Sequence, residues 1–448
     1  MAINASQTLE INLYKPHLIV LIGAAGSGKS TFARKHFRIT EIVSSDYCRA
    51  LVGDNEEVQY YSKQAFELFY FIIQKRMELN KLVVADSTAL NKSVRQELLR
   101  LARRHYYPAT AIILNTSLET RLARNSSRNR VVPQDVMLRQ QAMLEVALQE
   151  VHSEGWDKIY ILNEEEADIV RINLITPPIY PRVEPPYDIV GDVHGCYDEL
   201  LELLDKLGWQ KIDGEWKHPE GRTLISIGDL ADRGPKVVEC FELWMELCRQ
   251  GKALFTPGNH DNKLMRYLEG RRVQIKHGLE ATVGQLESLD QSKALELRRR
   301  IHDFIKDANP YMVLDRYNLV VAHAGIKERM IGKMSRAVQD FVLYGDVTGR
   351  LTPEGLPERR DWARDYHGRA LVVYGHTPVQ EPIIRNNTVN IDQGCVFGGY
   401  LTALRYPELE FVQVKARQVY AERPGGIKSI VTGEVPTVSS SGDDEDKS

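Results

Sequence analysis

The feature that most restricts how this chain can fold is a pattern in its second half. Five apolar runs (YDIVGD, RTLISIGD, KALFTPGN, NLVVAHAG and ALVVYGH) each pass directly into an Asp, Asn or His. Short apolar runs bounded by turn residues are the mark of strands buried in a sheet. The polar side chains therefore stand at strand termini, where a fold can gather them. Upstream, from His17 to about Leu162, a different alternation runs through HLIVLIG, KSTFARKHF, EIVSSD, a long helix, KLVVADS, another helix and TAIILNTS, and it predicts a parallel α/β sheet. Between the two lies ITPPIYPRVEPPYD, whose five prolines remove backbone donors and fix φ, so neither helix nor central strand continues through it.

These signals predict two α/β domains at residues 1–172 and 187–433, joined by a proline-rich linker at 173–186. A helix-forming insertion, QLESLDQSKALELRRRIHDFIKD, is expected at about 263–309, and an acidic, disordered tail at 434–448. A length of 448 residues agrees with two domains. With 43% hydrophobic and 27% charged residues the chain can bury full cores. A net charge of −3 leaves any nucleic-acid partner to local Arg and Lys clusters. The opening MAINASQTLEINLYKP has no apolar core of signal-peptide length, and no run reaches the ~20 apolar residues that span a bilayer, so a cytoplasmic location with no membrane partner is expected. Cys48, Cys196, Cys240, Cys248 and Cys395 form no CxxC pair and read as reduced, packed thiols.

Gly23-Ala-Ala-Gly26-Ser27-Gly28-Lys29-Ser30, followed by Thr31, fits G-x-x-x-x-G-K-[ST] between an apolar strand and a helix. Its glycines let backbone N–H groups converge on phosphate oxygens, Lys29 reaches the β/γ-phosphates, and the Ser30 hydroxyl ligates Mg²⁺. Asp46 ends the next strand and is placed to accept the proton of an attacking hydroxyl. Arg49, one turn on, is placed to hold an acceptor phosphate. The blander alternative is a helix-capping Asp with a solvated Arg. Arg121, Arg124, Arg128 and Arg130 in SLETRLARNSSRNR predict a cationic lid over ATP, against the alternative of a solvated helix face. Asp86 supports Mg²⁺ or the acceptor, or caps a helix.

In the second half, Asp192 and His194 lie two apart at a strand end and point to the same side. Asp229 is placed to bridge two metals, and Arg233 to hold a phosphate bidentately. Asn259 offers a carbonyl ligand and His260 a proton for a leaving oxygen. His323 and His376 complete a set suited to Mn²⁺, Fe²⁺ or Zn²⁺. Asp392 in NIDQG is a supporting or substrate-contact candidate. Any one of these histidines alone reads best as a core residue; the ordered series of motifs is what argues otherwise.

The GDVHG, GDLADRG, GNHD, VVAHAG and YGHTP blocks resemble the calcineurin-like metallophosphoesterases from about Tyr187 to Arg417. The resemblance implies a two-metal hydrolase with ligands Asp192, His194, Asp229, Asn259, His323 and His376, and with Arg233 and His260 acting on substrate. Pro257 and Asp261 depart from the Arg and Glu usual around the GNHE block of protein phosphatases. The first half, with GAAGSGKS, SSDYCR and the arginine-rich segment, resembles the polynucleotide 5′-kinase branch of P-loop kinases. Both halves in this order resemble bacterial polynucleotide kinase-phosphatase. That implies ATP with Mg²⁺ and two divalent metals, Mn²⁺ foremost, acting on RNA with a 5′-OH and a 3′ or 2′,3′-cyclic phosphate. The ligase domain of full-length family members is not evident, so a separate RNA ligase is expected to seal. GDVHGCYDELLELLDKLG also resembles dinucleoside-polyphosphate hydrolases, which gives a rival reading: a small-molecule kinase joined to such a hydrolase or to a protein phosphatase. A nucleotide-dependent switch governing a partner is the non-catalytic rival.

Overall fold

The computed structural model describes residues 9–56, 58–127, 131–353, 355–382 and 384–422; the expected tail at 434–448 lies outside the described residues. Two compact units form, and neither is one continuous stretch. The first takes Met1–Glu184, Asn309–Thr348 and Arg359–Val372, and the second Pro185–Ala308, Gly349–Glu358 and Val373–Ser448.

The first unit runs β1 (Glu10–Tyr14), β2 (Leu18–Ile22), α1 (Lys29–His36), β3 (Ile42–Ser44), α2 (Ser45–Gly53), α3 (Ser62–Glu78), β4 (Val83–Asp86), α4 (Lys92–Arg104), β5 (Ala109–Leu114), α5 (Leu118–Ser126), α6 (Gln134–Glu150), β6 (Lys158–Leu162), α7 (Glu164–Ile169) and β7 (Arg171–Ile175). Five strands form a parallel sheet in the order β3-β4-β2-β5-β6, while β1 and β7 form a parallel pair of their own. Every residue of the central strand β2 is buried. Its side chains alternate between faces. Leu18, Val20 and Ile22 pack with Phe69, Ile73 and Met77 of α3, whereas Ile19 and Leu21 pack with Phe32 and Ala33 of α1. Each such burial contributes roughly 1.5–3 kcal/mol. The sheet is held from both sides, and the loops at its carboxyl edge start from fixed points.

The second unit begins with β8 (Tyr187–Val190), α8 (Tyr197–Leu207), β9 (Gln210–Ile212), β10 (Glu215–Lys217), β11 (Thr223–Ser226), α9 (Val237–Arg249), β12 (Ala253–Phe255), α10 (Asn259–Leu268), α11 (Leu279–Glu287) and α12 (Gln291–Asp307). The chain then contributes β13 (Met312–Leu314), antiparallel to β14 (Leu319–Val321), and α13 (Arg336–Tyr344) to the first unit. After β15 (Val347–Leu351), β16 (Pro357–Arg359) and β17 (Leu371–Tyr374), the second unit resumes with β18 (Ile384–Arg385), β19 (Thr388–Asn390), β20 (Asp392–Gln393), β21 (Tyr400–Tyr406) and β22 (Glu410–Lys415). Its sheet has the order β12-β11-β8-β21-β20, with β22 beside β21. β8, β11 and β12 are parallel, and β21 is antiparallel to β8. Between β12 and β13 the chain is helical, in α10, α11 and α12. Leu279, Val283 and Leu286 of α11 and Ile301 of α12 bury into the same core as Phe241 and Trp244 of α9. Because the three parallel strands share a carboxyl edge, Asp192, Asp229 and Asn259 emerge together there.

No helix among the described residues is long and apolar enough to cross a membrane. All five cysteines are free thiols, and Cys48, Cys196, Cys240 and Cys395 are buried, as packed residues should be.

Candidate phosphate loop and metal centre

In the first unit the segment after β2 turns through two left-handed glycines, Gly26 (φ 82°) and Gly28 (φ 91°), and Gly28 caps α1. A Cβ on Gly26 would lie 3.0 Å from the Arg121 carbonyl oxygen, so only glycine fits without displacing α5. The amides of this turn and the N-terminus of α1 form a seat for an anion. Lys29 Nζ donates to the Gly23 oxygen at 2.8 Å and the Ala24 oxygen at 3.0 Å, lying across the loop. From α6, Gln140 Oε1 accepts from the Ala25 N–H at 2.6 Å and fixes the loop from outside.

Asp86, the last residue of β4, is buried, and burial pushes its pKa up; the Ser30 hydroxyl and the Lys29 ammonium pull it back. Asp86 therefore sits beside Ser30 and Lys29 of the loop. Asp46 is in the first turn of α2, but the cap is Ser44, whose side chain accepts from the Tyr47 N–H. Arg49 is buried and not solvated: its Nη1 donates to Asp46 Oδ1 at 2.7 Å and to the Glu56 oxygen at 2.8 Å. Asp46 remains half exposed, at 52% of its side chain. The two side chains form a carboxylate–guanidinium pair with its arginine buried and its carboxylate half exposed.

The arginines of α5 divide. Arg124 Nη1 lies 3.5 Å from where a Cβ on Gly28 would be, directly at the loop. Arg121 is a correction to the expected lid: it is fully buried, with Nε donating to the Thr116 oxygen at 3.2 Å and Nη2 bonded to Gln141. Its side chain joins α5 to α6 in place of facing solvent. Arg128 and Arg130 lie outside the described residues.

In the second unit, site residues follow strand ends and several adopt left-handed backbone: His194 (φ 45°), Asp229 (φ 53°), Asp232 (φ 76°), Arg233 (φ 71°) and His376 (φ 72°). Such conformations persist only where the surroundings enforce them, at on the order of 1 kcal/mol or more each. The His194 N–H donates to the Asp229 oxygen at 2.8 Å and that of Gly195 to the Leu230 oxygen at 3.1 Å, locking the two loops together. His194 Nδ1 donates to the Ala231 oxygen at 2.7 Å, which turns Nε2 inward, 3.5 Å from Asp229 Oδ2. One ligand atom each of His194, Asp229 and His260 lies within 4.8 Å of the others, and Asp229 meets His376 within the same limit. Asp229 thus has His194, His260 and His376 all within ligand reach of its carboxylate.

Asn259 Oδ1 stands 2.7 Å from His376 Nδ1, and the His376 N–H donates to Asp192 Oδ2 at 3.1 Å. The carboxylates press so close to the backbone that a Cβ on Gly375 would fall 2.2 Å from Asp192 Oδ1, and one on Gly258 2.0 Å from Asp229 Oδ1. Burial holds both acids well above the usual carboxylate range; Asp392 and Asp229 add to this at Asp192, and Asp261 adds to it at Asp229. A buried set of carboxylates with imidazole and amide donors fits borderline divalent cations, whose charge would compensate the acids. His323 stands two residues beyond β14, fully buried, in the first unit.

Arg233 Nη1 is 2.6 Å from His194 Nε2, and its guanidinium stacks over the Phe397 ring at 5.1 Å. His260 Nδ1 meets Asp232 Oδ2 at 2.6 Å. Two contributors went unassigned in the sequence. Asp232 is fully buried and pushed up to about 7 by burial. Asp261 accepts three amides: Asp229 N–H at 2.7 Å and Gly258 N–H at 2.9 Å on Oδ2, and Ala231 N–H at 3.0 Å on Oδ1. The position of Asp232 within the same motif as Asp229 and Arg233 was the available signal for the first.

Fold and sites together define a P-loop nucleotide-binding domain joined to a metallophosphoesterase. An AAA domain model matches residues 18–147 and a calcineurin-like phosphoesterase model residues 185–380. The chain belongs to the calcineurin-like phosphoesterase family through its second half. Among curated relatives, a bis(5′-nucleosyl)-tetraphosphatase PrpE (asymmetrical) of Halalkalibacterium halodurans is 51% identical over 232 residues, covering 52% of this chain and 94% of the relative. The protein of the same name in Bacillus subtilis is 50% identical over 236 residues, covering 53% and 97%. The chain is therefore an enzyme with a phosphoesterase domain and a kinase-like P-loop domain.

Proposed function

We propose that the chain heals broken RNA ends. In this reading the first unit moves the γ-phosphoryl group of ATP onto a 5′-hydroxyl, and the second removes a 3′ or 2′,3′-cyclic phosphate. The observation that carries the reading is the union of the two sites on one chain: a phosphate loop flanked by an Asp46–Arg49 pair, and a carboxylate–imidazole centre. Adding phosphate at one end and clearing it from the other leaves ends that a ligase can join.

In the first reaction Gly23, Gly26, Ser27, Gly28 and Thr31 shape the cradle, and Lys29 and Ser30 address ATP with its Mg²⁺. Asp46 takes the proton of the attacking hydroxyl, oriented by Arg49, and Arg124 and Arg128 offset charge on the transferred group. In the second, two divalent cations, Mn²⁺ by this reading, supply the charge that draws in and polarises a phosphate. Asp192, His194, Asp229, Asn259, His323 and His376 would hold them, with Asp392 in support. Arg233 grips a phosphate oxygen, and His260 delivers its Nε2 proton to the leaving oxygen while Asp232 holds Nδ1.

A second reading has its own support: relatives about half identical across the second half are named tetraphosphatases acting on bis(5′-nucleosyl) substrates. By that reading this half cleaves a nucleoside polyphosphate, and the first half phosphorylates a small molecule. End-labelled RNA with a 5′-OH and a 2′,3′-cyclic phosphate, incubated with ATP, Mg²⁺ and Mn²⁺, separates the two. End healing predicts gain of 5′ phosphate and loss of the terminal phosphate. Unchanged RNA ends beside rapid hydrolysis of a dinucleoside tetraphosphate would transfer the protein to the second reading.

A further inference from the structure

The Asp232–Arg233 corner is held by a helix from the insertion. The Gly278 carbonyl, at the start of α11, accepts from the Arg233 N–H at 3.0 Å. Gln285 Oε1 accepts from the Val237 N–H at 2.7 Å, and its Nε2 donates to the Gly234 oxygen at 3.0 Å. Between them, Thr282 makes two bonds to one residue: Oγ1 accepts from the Asp232 N–H at 3.0 Å and donates to Asp232 Oδ1 at 2.9 Å. Thr282 is fully buried, as is Asp232. Residues 278, 282 and 285 recur at the spacing of one helix face, so a single side of α11 grips the segment.

The closed ring between Thr282 and Asp232 has a consequence for His260. With Oδ1 accepting from the Thr282 hydroxyl, and the Asp232 N–H donating to that hydroxyl's own oxygen, the carboxylate is held against rotation, and Oδ2 is the oxygen presented to His260 Nδ1 at 2.6 Å. The imidazole is thereby oriented with Nε2 directed away from Asp232.

We infer that Thr282 is a positioning residue for the phosphoesterase reaction, fixing Asp232 and through it the proton-donating His260, so that the insertion supplies a working part of the centre. The inference rests on the reading of His260 as the donor to the leaving oxygen. In that step a bond forms between the attacking water oxygen and phosphorus, the bond from phosphorus to the leaving oxygen breaks, and the proton on His260 Nε2 passes to the departing oxygen. A donor matters most when the leaving oxygen is basic and least when it is already stable as an anion.

The test is a leaving-group series on the full chain loaded with Mn²⁺, using aryl phosphate esters from nitrophenyl to unsubstituted phenyl at one pH. His260→Ala is expected to lose about 100-fold or more in kcat on the phenyl ester and far less on the nitrophenyl ester. Thr282→Val, similar in shape but without the hydroxyl, is expected to lose about 10- to 30-fold in kcat on the phenyl ester, to stay within about threefold on the nitrophenyl ester, and to keep its KM. Thr282→Ser, which restores the hydroxyl, should recover the phenyl-ester rate. Thermal melting checks that each variant is folded; should Thr282→Val melt early, Thr282→Ala carries the comparison. An equal loss by Thr282→Val across the series, or no rescue by Thr282→Ser, overturns the inference. A flat series for His260→Ala shows instead that the donor assignment has failed, and the role of Thr282 fails with it.

Discussion

The two sites solve opposite electrostatic problems by different means. The phosphate loop collects positive character from one short stretch, Gly23 to Thr31, using backbone amides at a helix start and the Lys29 ammonium. The metal centre collects carboxylate, amide and imidazole groups from loops after β8, β11, β12 and β17, and buries Asp192 and Asp229 until their acids are strongly perturbed. A site that binds an anion can be local, because consecutive amides converge without help from distant chain. A site that binds two cations needs several separate carboxylates and imidazoles, and only a tertiary fold concentrates that much like charge.

If the comparison is right, the sites can be silenced separately. The largest effect is expected for Asp229→Ala, which removes the shared carboxylate: phosphoesterase turnover should fall about 10³-fold or more, while 5′-labelling with ATP is unchanged. Equal loss of both activities would break the separation. Lys29→Ala should lower phosphoryl transfer by about 10²- to 10³-fold and leave phosphate release intact, as followed by end-labelling beside colorimetric phosphate assay.

The contrast also bears on what the sequence could reveal. GAAGSGKS was legible because its function is written in adjacent residues, and the strand alternation around it predicted the parallel sheet in which it sits. The Asp and His of the second half were legible as residues at strand ends. Their partners were not. Asp232 matters because His260 arrives 28 residues later, and Thr282 because it returns 50 residues after Asp232. Asp261 was noticed only as a departure from a related motif, yet it accepts three amides that set the Asp229 and Gly258 loops. Arg121 shows the same limit from the other side. Its spacing with Arg124 suggested one cationic face, but Gln141 and the Thr116 carbonyl draw it into the interior. Periodicity gives the direction of a side chain; it does not give what waits there.

Smaller effects on stability sharpen the same point. His17 is buried between the Tyr14 oxygen, 3.1 Å from Nδ1, and the Thr110 hydroxyl, 2.8 Å from Nε2. Burial lowers its pKa from 6.5 to about 4. Since the unfolded chain takes up the proton more readily, this neutral histidine favours the folded state fully above pH 6.5, and the advantage is lost as pH falls toward 4. The loss amounts to about 3 kcal/mol in all. Hydrogen exchange of the β2 and β5 amides should show protection falling over that window, and His17→Gln should flatten the dependence. Asp261→Asn leaves at least one buried amide without its acceptor and should lower stability by about 1–3 kcal/mol, read from denaturant unfolding of the second unit.

Whether the Asp229 carboxylate is shared by a pair of cations can be read from anomalous X-ray scattering by crystals grown with Mn²⁺. Two peaks separated by roughly 3.5–4 Å are expected, with an Asp229 carboxylate oxygen within bonding distance of both. A single peak, or two peaks of which Asp229 touches only one, would contradict that sharing.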